Sequence, residues 1–160
     1  MKTTREAARE ESHRNMLQIL SSLLEKNYDA EKGYKKAIEH ADRRDIKVFL
    51  KEQAVRRNHF ATELDKEIHM LNEHPDSKGN GSVLGNLHKF WMDFRTAITK
   101  KEDEALLEEC LRGEKVSLKE YERVIEKNIL SPRIKTLLET QRDHIKKTIS
   151  EIKRLEQIAD

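Results

Sequence analysis

Apolar side chains recur three and four residues apart in long stretches of this 160-residue chain, and that spacing predicts helices. Leu17, Leu20 and Leu24, then Ile38 and Ala41, predict a helix over about 12–41 whose inward stripe is interrupted by Asn27, Glu31 and Tyr34. After the polar turn Asp42-Arg43-Arg44-Asp45, the residues Ile46, Leu50, Phe60, Leu64, Ile68 and Leu71 predict a second helix over about 46–73. Gln53 and Arg57 interrupt this one. The string HPDSKGNGS from His74 to Ser82 then breaks the pattern with a proline and two glycines, as a surface loop does. Ser82 can cap a helix over 83–99, in which Val83 and Phe90 widen the apolar face set by Leu84, Leu87, Trp91, Phe94 and Ile98. A helix over 102–128 buries Leu107, Cys110, Leu118, Tyr121, Val124 and Ile125, with Glu114 and Ser117 on the same side. Pro132 suits the first turn of a last helix, over 132–158, which carries Ile134, Leu138, Ile145, Ile149, Ile152 and Leu155 inward with Gln141 and His144 among them.

Short turns inside each helix pair and a middle section of roughly 30 residues between the pairs do not suit an up-down-up-down bundle with short loops throughout. The expected fold is therefore all-α: a ferritin-like four-helix bundle of two helical hairpins joined by a long crossover with an extra short helix. Residues 1–11 read as a charged N-terminal extension and 12–158 as a single domain. Composition agrees, since 39% of residues are charged and only 5% aromatic, with five glycines and two prolines. The 32 basic and 30 acidic residues alternate in sign and form no basic stripe, so nucleic acid is not expected as a partner. No apolar run approaches the ~20 residues of a membrane span, and the first residues, KTTREAAREESH, are charged where a signal peptide would be apolar. A cytoplasmic protein is expected. The single Cys110 on a buried stripe reads as a small core residue.

Each main helix places a polar group midway along its apolar stripe: Glu31, Gln53, Glu114 and Gln141. Carboxylate di-metal bundles draw a Glu from each of two helices and a Glu-x-x-His pair from the other two, because side chains at i and i+3 share a face and can chelate one ion. Here the pair positions hold Gln53-Ala54-Val55-Arg56 and Gln141-Arg142-Asp143-His144. Amide oxygens are neutral and an arginine repels cations, so the residues fit a metal-free network better. In that network Arg56 or Arg57 replaces the metal as the positive partner of Glu31 and Glu114, with Gln53, Gln141 and the Tyr34 and Tyr121 hydroxyls completing the hydrogen bonds. Periodicity does not choose between the two arginines. The competing expectation is a single-metal site of Glu31, Glu114 and His144, with Asp29 or Asp143 out of helical phase.

Several segments also carry a resemblance. Asp29-Ala30-Glu31-Lys32-Gly33-Tyr34, Arg57 with Phe60 and Leu64, GSVLGNLHKFW from Gly81 to Trp91, and LEECLRGE from Leu107 to Glu114 followed by Tyr121 are similar to a bacterial family of uncharacterised four-helix-bundle proteins. That family, a domain of unknown function, is grouped with the rubrerythrin-like and ferritin-like superfamily, and the resemblance spans about Leu17 to Leu155. It implies a ferritin-like fold with no assigned reaction. For the wider superfamily it implies non-haem di-iron chemistry, to which Glu114 and Tyr121 correspond. The expected function is accordingly that of a non-catalytic bundle without a cofactor, acting as a homo-oligomer (a dimer) or through a protein partner. Val83, Leu87, Phe90, Trp91 and Phe94 are the candidate interface. The alternative is an iron-binding oxidoreductase or iron-handling protein.

Overall fold

The computed structural model describes residues 3–72 and 102–159. The expected loop over 74–82, the helix over 83–99 and the candidate interface residues Val83, Leu87, Phe90, Trp91 and Phe94 lie outside the described residues. Those described form four helices and no strand: α1 (Thr4–His40), α2 (Arg44–Leu71), α3 (Asp103–Lys127) and α4 (Pro132–Ala159).

Among the described residues, the helix bounds expected from the sequence lie within two residues of the observed ones except at the start of α1. This helix begins at Thr4 and absorbs most of the expected N-terminal extension. Thr3 Oγ1 accepts from the Glu6 N–H at 3.2 Å, and the Glu6 carboxylate accepts from the Thr3 N–H at 3.0 Å. This reciprocal cap satisfies two donors that a helix start otherwise leaves open. Its Thr-x-x-Glu signature is present in the sequence, but the residues that follow carry no apolar stripe to announce a helix.

Inter-helix hydrogen bonds set the direction of each helix. Along α1, Asn27 meets Tyr121 and Tyr34 meets Glu114, so α3 runs antiparallel to α1. Along α2, Gln53 meets Thr148, Arg56 meets His144 and Glu67 meets Arg133, so α4 runs antiparallel to α2. The turn between α1 and α2 is three residues long, which makes these two antiparallel as well, and α3 therefore runs parallel to α2. Asn72 and Glu102 consequently lie at opposite ends of the helices, about 40 Å apart at 1.5 Å per residue of a 28-residue α2.

A carboxylate secures the turn end. The two Asp103 oxygens accept from the Asp42 and Arg43 N–H groups, each at 2.8 Å, and this ties the first turn of α3 to the turn between α1 and α2. Arg43 itself makes no side-chain cap to α2 and pairs instead with Asp45.

The buried apolar residues fall into two clusters stacked along the bundle. One, nearer the α1–α2 turn, contains Tyr34, Phe49, Leu50, Leu107, Ile152 and Leu155. The other, toward the α3–α4 turn, contains Leu20, Phe60, Leu64, Tyr121, Leu138 and Ile145. Between them lies a layer of buried polar side chains: Asn27, Gln53, Arg57, Glu114, Ser117, Gln141 and Thr148. Replacing Asp103 with Ala should cost about 1–2 kcal/mol of stability in urea unfolding, because it removes two charge-assisted bonds at the turn. An unchanged midpoint would show that α3 is positioned without this anchor.

Candidate functional site: a charged layer at mid-height

Helical phase brings one or two polar groups from every helix to the same level. Arg57 on α2 is 2% exposed and Glu114 on α3 is 1% exposed, and Arg57 Nη2 lies 2.9 Å from Glu114 Oε2. The same Nη2 donates to Ser117 Oγ at 3.0 Å, while Nη1 donates to Asn27 Oδ1 at 2.8 Å. Tyr34 donates its hydroxyl to Glu114 Oε1, so both carboxylate oxygens are engaged. The guanidinium also sits 5.9 Å from the centre of the Phe60 ring, a distance at which the ring face attracts a cation.

From Asn27 the bonding continues across the bundle. Asn27 Nδ2 donates to Tyr121 Oη at 3.0 Å and to the Leu23 carbonyl at 2.8 Å. Tyr121 in turn donates to Gln141 Oε1 at 2.6 Å. Gln141 Nε2 donates to the Phe60 carbonyl and to Glu63 Oε1, both at 3.3 Å. The result is one connected network from all four helices, with a buried carboxylate at one end and the half-buried Glu63 at the other.

Electrostatics hold each member in its donor or acceptor role. Burial, reinforced by the Glu114 charge, pushes the Tyr34 hydroxyl well above its ordinary range, and burial raises Tyr121 to about 12. Both phenols therefore stay protonated and donate. Burial opposes the Arg57 charge, but Glu114 and the two tyrosines outweigh it and raise the guanidinium pKa. Burial also pushes the Cys110 thiol up, which suits an unreactive core residue.

Two features went unseen in the sequence. Thr148 Oγ1 lies 3.0 Å from Gln53 Oε1, so Gln53 is buried in the layer but bonds to α4 rather than to Arg57. Lys26, 4% exposed, pairs with Glu120 at 2.5 Å on the α1–α3 side, where Lys26 and Arg123 outweigh burial and lower the Glu120 pKa. A buried lysine carries no periodic signal of its own, because its long stem can pass for a surface side chain.

The arginine choice is settled by geometry: Arg57 faces the interior, and Arg56 is half-buried where α2 meets α4. Arg56 Nη1 lies 2.6 Å from His144 Nδ1, and because a guanidinium can only donate, His144 accepts there as a neutral ring protonated on Nε2. The three expected metal ligands are not brought together. Glu31 turns to the edge of the bundle, where it pairs with Lys35 at 3.0 Å and accepts from Asn58 at 3.3 Å. Asn27, one turn earlier, takes the place on α1 expected for Glu31. Each Glu114 oxygen accepts a hydrogen bond, one from Arg57 and one from Tyr34, and His144 Nδ1 is taken by Arg56. Asp143 is exposed beside Arg142 at 3.1 Å. Among the described residues no group of three or more His, Cys, Asp or Glu side chains is placed to hold a metal ion. A di-metal centre does not fit a layer with a guanidinium at its middle and one carboxylate beside it.

Among the described residues, fold and site together define an all-α arrangement of four helices with a charged, hydrogen-bonded layer between two apolar half-cores. More narrowly, residues 15–127 match the family described as Domain of unknown function (DUF2383), and the chain belongs to that family. The matched segment holds Asn27, Tyr34, Arg57, Glu114, Ser117 and Tyr121. No curated protein matches the chain. No described helix is long and apolar enough to cross a membrane.

Arg57→Met should destabilise the fold by about 3–5 kcal/mol, because it strands the Glu114 charge in the interior. Arg57→Met combined with Glu114→Met should cost much less than the sum of the single changes in a urea double-mutant cycle; additive costs would mean the pair is not coupled. His144 provides a pH signature. Burial, then Arg56 and Lys147, lower its pKa below 6.5, so the folded state binds fewer protons than the unfolded state. The stability it contributes is complete above pH 6.5 and is lost as pH falls through the folded-state pKa. His144→Gln should remove that part of the acid-side decline in thermal unfolding, and an unchanged pH profile would contradict the assignment.

Proposed function

We propose that this protein is a ferritin-like four-helix bundle in which an arginine-centred network stands where related bundles would hold metal ions, and that it acts by association rather than by catalysis. The observation that carries this reading is the buried Arg57–Glu114 pair, 2.9 Å apart at mid-height, with both Glu114 oxygens engaged. A guanidinium delivers positive charge to that level without an open coordination position, so there is no vacancy for oxygen or peroxide to bind. The helix directions support the ferritin-like part: α2 and α3 run parallel, so a crossover must join opposite ends of the bundle.

For association, the sequence offers the apolar residues Val83, Leu87, Phe90, Trp91 and Phe94. The partner is a second copy of the chain. Sedimentation equilibrium should give a dimer that Phe90→Glu with Trp91→Glu converts to a folded monomer. The protein should also take up no stoichiometric iron on anaerobic incubation with ferrous salt, measured by mass spectrometry. Near-stoichiometric iron that disappears in Glu114→Ala would overturn the reading in favour of an iron-handling protein.

A further inference from the structure

Where α2 meets α4, an open groove of about 530 Å³ is lined by Lys51, Glu52, Val55, Arg56, His59 and His144, with the buried Phe60 beneath. Its cation is unusual for this molecule. Among the described residues, every other buried or half-buried lysine or arginine has a carboxylate within 4.0 Å: Lys26 has Glu120, Lys36 has Glu39, Arg43 has Asp45, Arg57 has Glu114, and Arg142 has Glu139 and Asp143. Arg56 has a neutral imidazole instead, and its Nε–H is enclosed without a hydrogen-bond partner. Glu52 shares the groove but forms no ion pair with it. The carboxylates nearest His144 are committed elsewhere, Glu63 to Gln141 and Asp143 to Arg142.

A partly desolvated cation is costly until a counter-charge reaches it. With Nη1 held by His144 and Nε enclosed, Nη2 is the donor of Arg56 left to meet an oxyanion in the groove. Lys51 adds a second positive charge on the same wall, and Lys147 adds another beside His144. Val55, 70% exposed, supplies an apolar surface next to these charges. We propose that this groove binds a small organic anion, a carboxylate or a phosphate monoester, whose oxyanion pairs with Arg56 and Lys51 and whose apolar body lies on Val55. The site is separate from the mid-height layer and does not depend on how that layer is read.

The test is an NMR titration of histidine-labelled protein with benzoate, phenyl phosphate, inorganic phosphate and uncharged benzyl alcohol. Benzoate or phenyl phosphate should shift the His144 signals saturably, with a dissociation constant below about 1 mM, and the two titrations distinguish the acid group preferred. Arg56→Gln should weaken binding about tenfold or more, a loss of about 1.4 kcal/mol. Lys51→Gln, on an exposed residue, should weaken it about threefold and keeps the test decisive if Arg56→Gln does not fold. No saturable shift with either organic anion, or equal affinity in both variants, would overturn the proposal. Inorganic phosphate binding as tightly as phenyl phosphate would remove the apolar part of the site, and saturable benzyl alcohol binding would remove the anionic part.

Discussion

The ion pair between Arg57 and Glu114 is the constraint to which the rest of the interior conforms. Two charges taken out of water are tolerated only when nearly every hydrogen-bonding position around them is filled. Tyr34, Asn27 and Ser117 fill those positions directly, and Tyr121 and Gln141 complete the bonds of Asn27 in turn. Because these groups come from all four helices, none can slide or rotate by one residue without breaking the network. The polar layer thus acts on register, and the two apolar half-cores on either side supply the burial that drives folding.

That division of labour also bears on function. A metal centre at mid-height needs several carboxylates turned inward and a position open to substrate. This layer has a single interior carboxylate, and its oxygens already serve a phenol and a guanidinium. Among the described residues, further polar contacts join the outer parts of the helices: Arg56 with His144 and Arg133 with Glu67 across α2 and α4, and Lys26 with Glu120 across α1 and α3. Of these contacts, Arg56–His144 leaves the cation without a carboxylate, whereas Arg133–Glu67 and Lys26–Glu120 are matched pairs.

Much of the architecture was legible from periodicity, because long amphipathic helices repeat their signal many times. The bounds of α2, α3 and α4 follow from apolar spacing and from Pro132, and the inward positions of Glu114, Gln141 and the two tyrosines follow from their places in the stripes. What periodicity could not convey is rotation within a stripe's width. Asn27 and Glu31 are one turn apart on the same side of α1, yet a 40° difference in phase sends one to Arg57 and the other to Lys35 at the bundle edge. The same limit left Arg56 and Arg57 undivided. The first turns of α1 escaped notice for another reason: their stability comes from a cap and not from a buried face.

The central claim, that a guanidinium holds the mid-height position, is tested most directly by a crystal structure of the protein grown with excess ferrous iron and measured at the iron absorption edge. The account predicts no anomalous peak between α1, α2 and α3, with the Arg57 guanidinium against the Glu114 carboxylate. An iron peak bound to Glu114, with Arg57 displaced from it, would contradict the account.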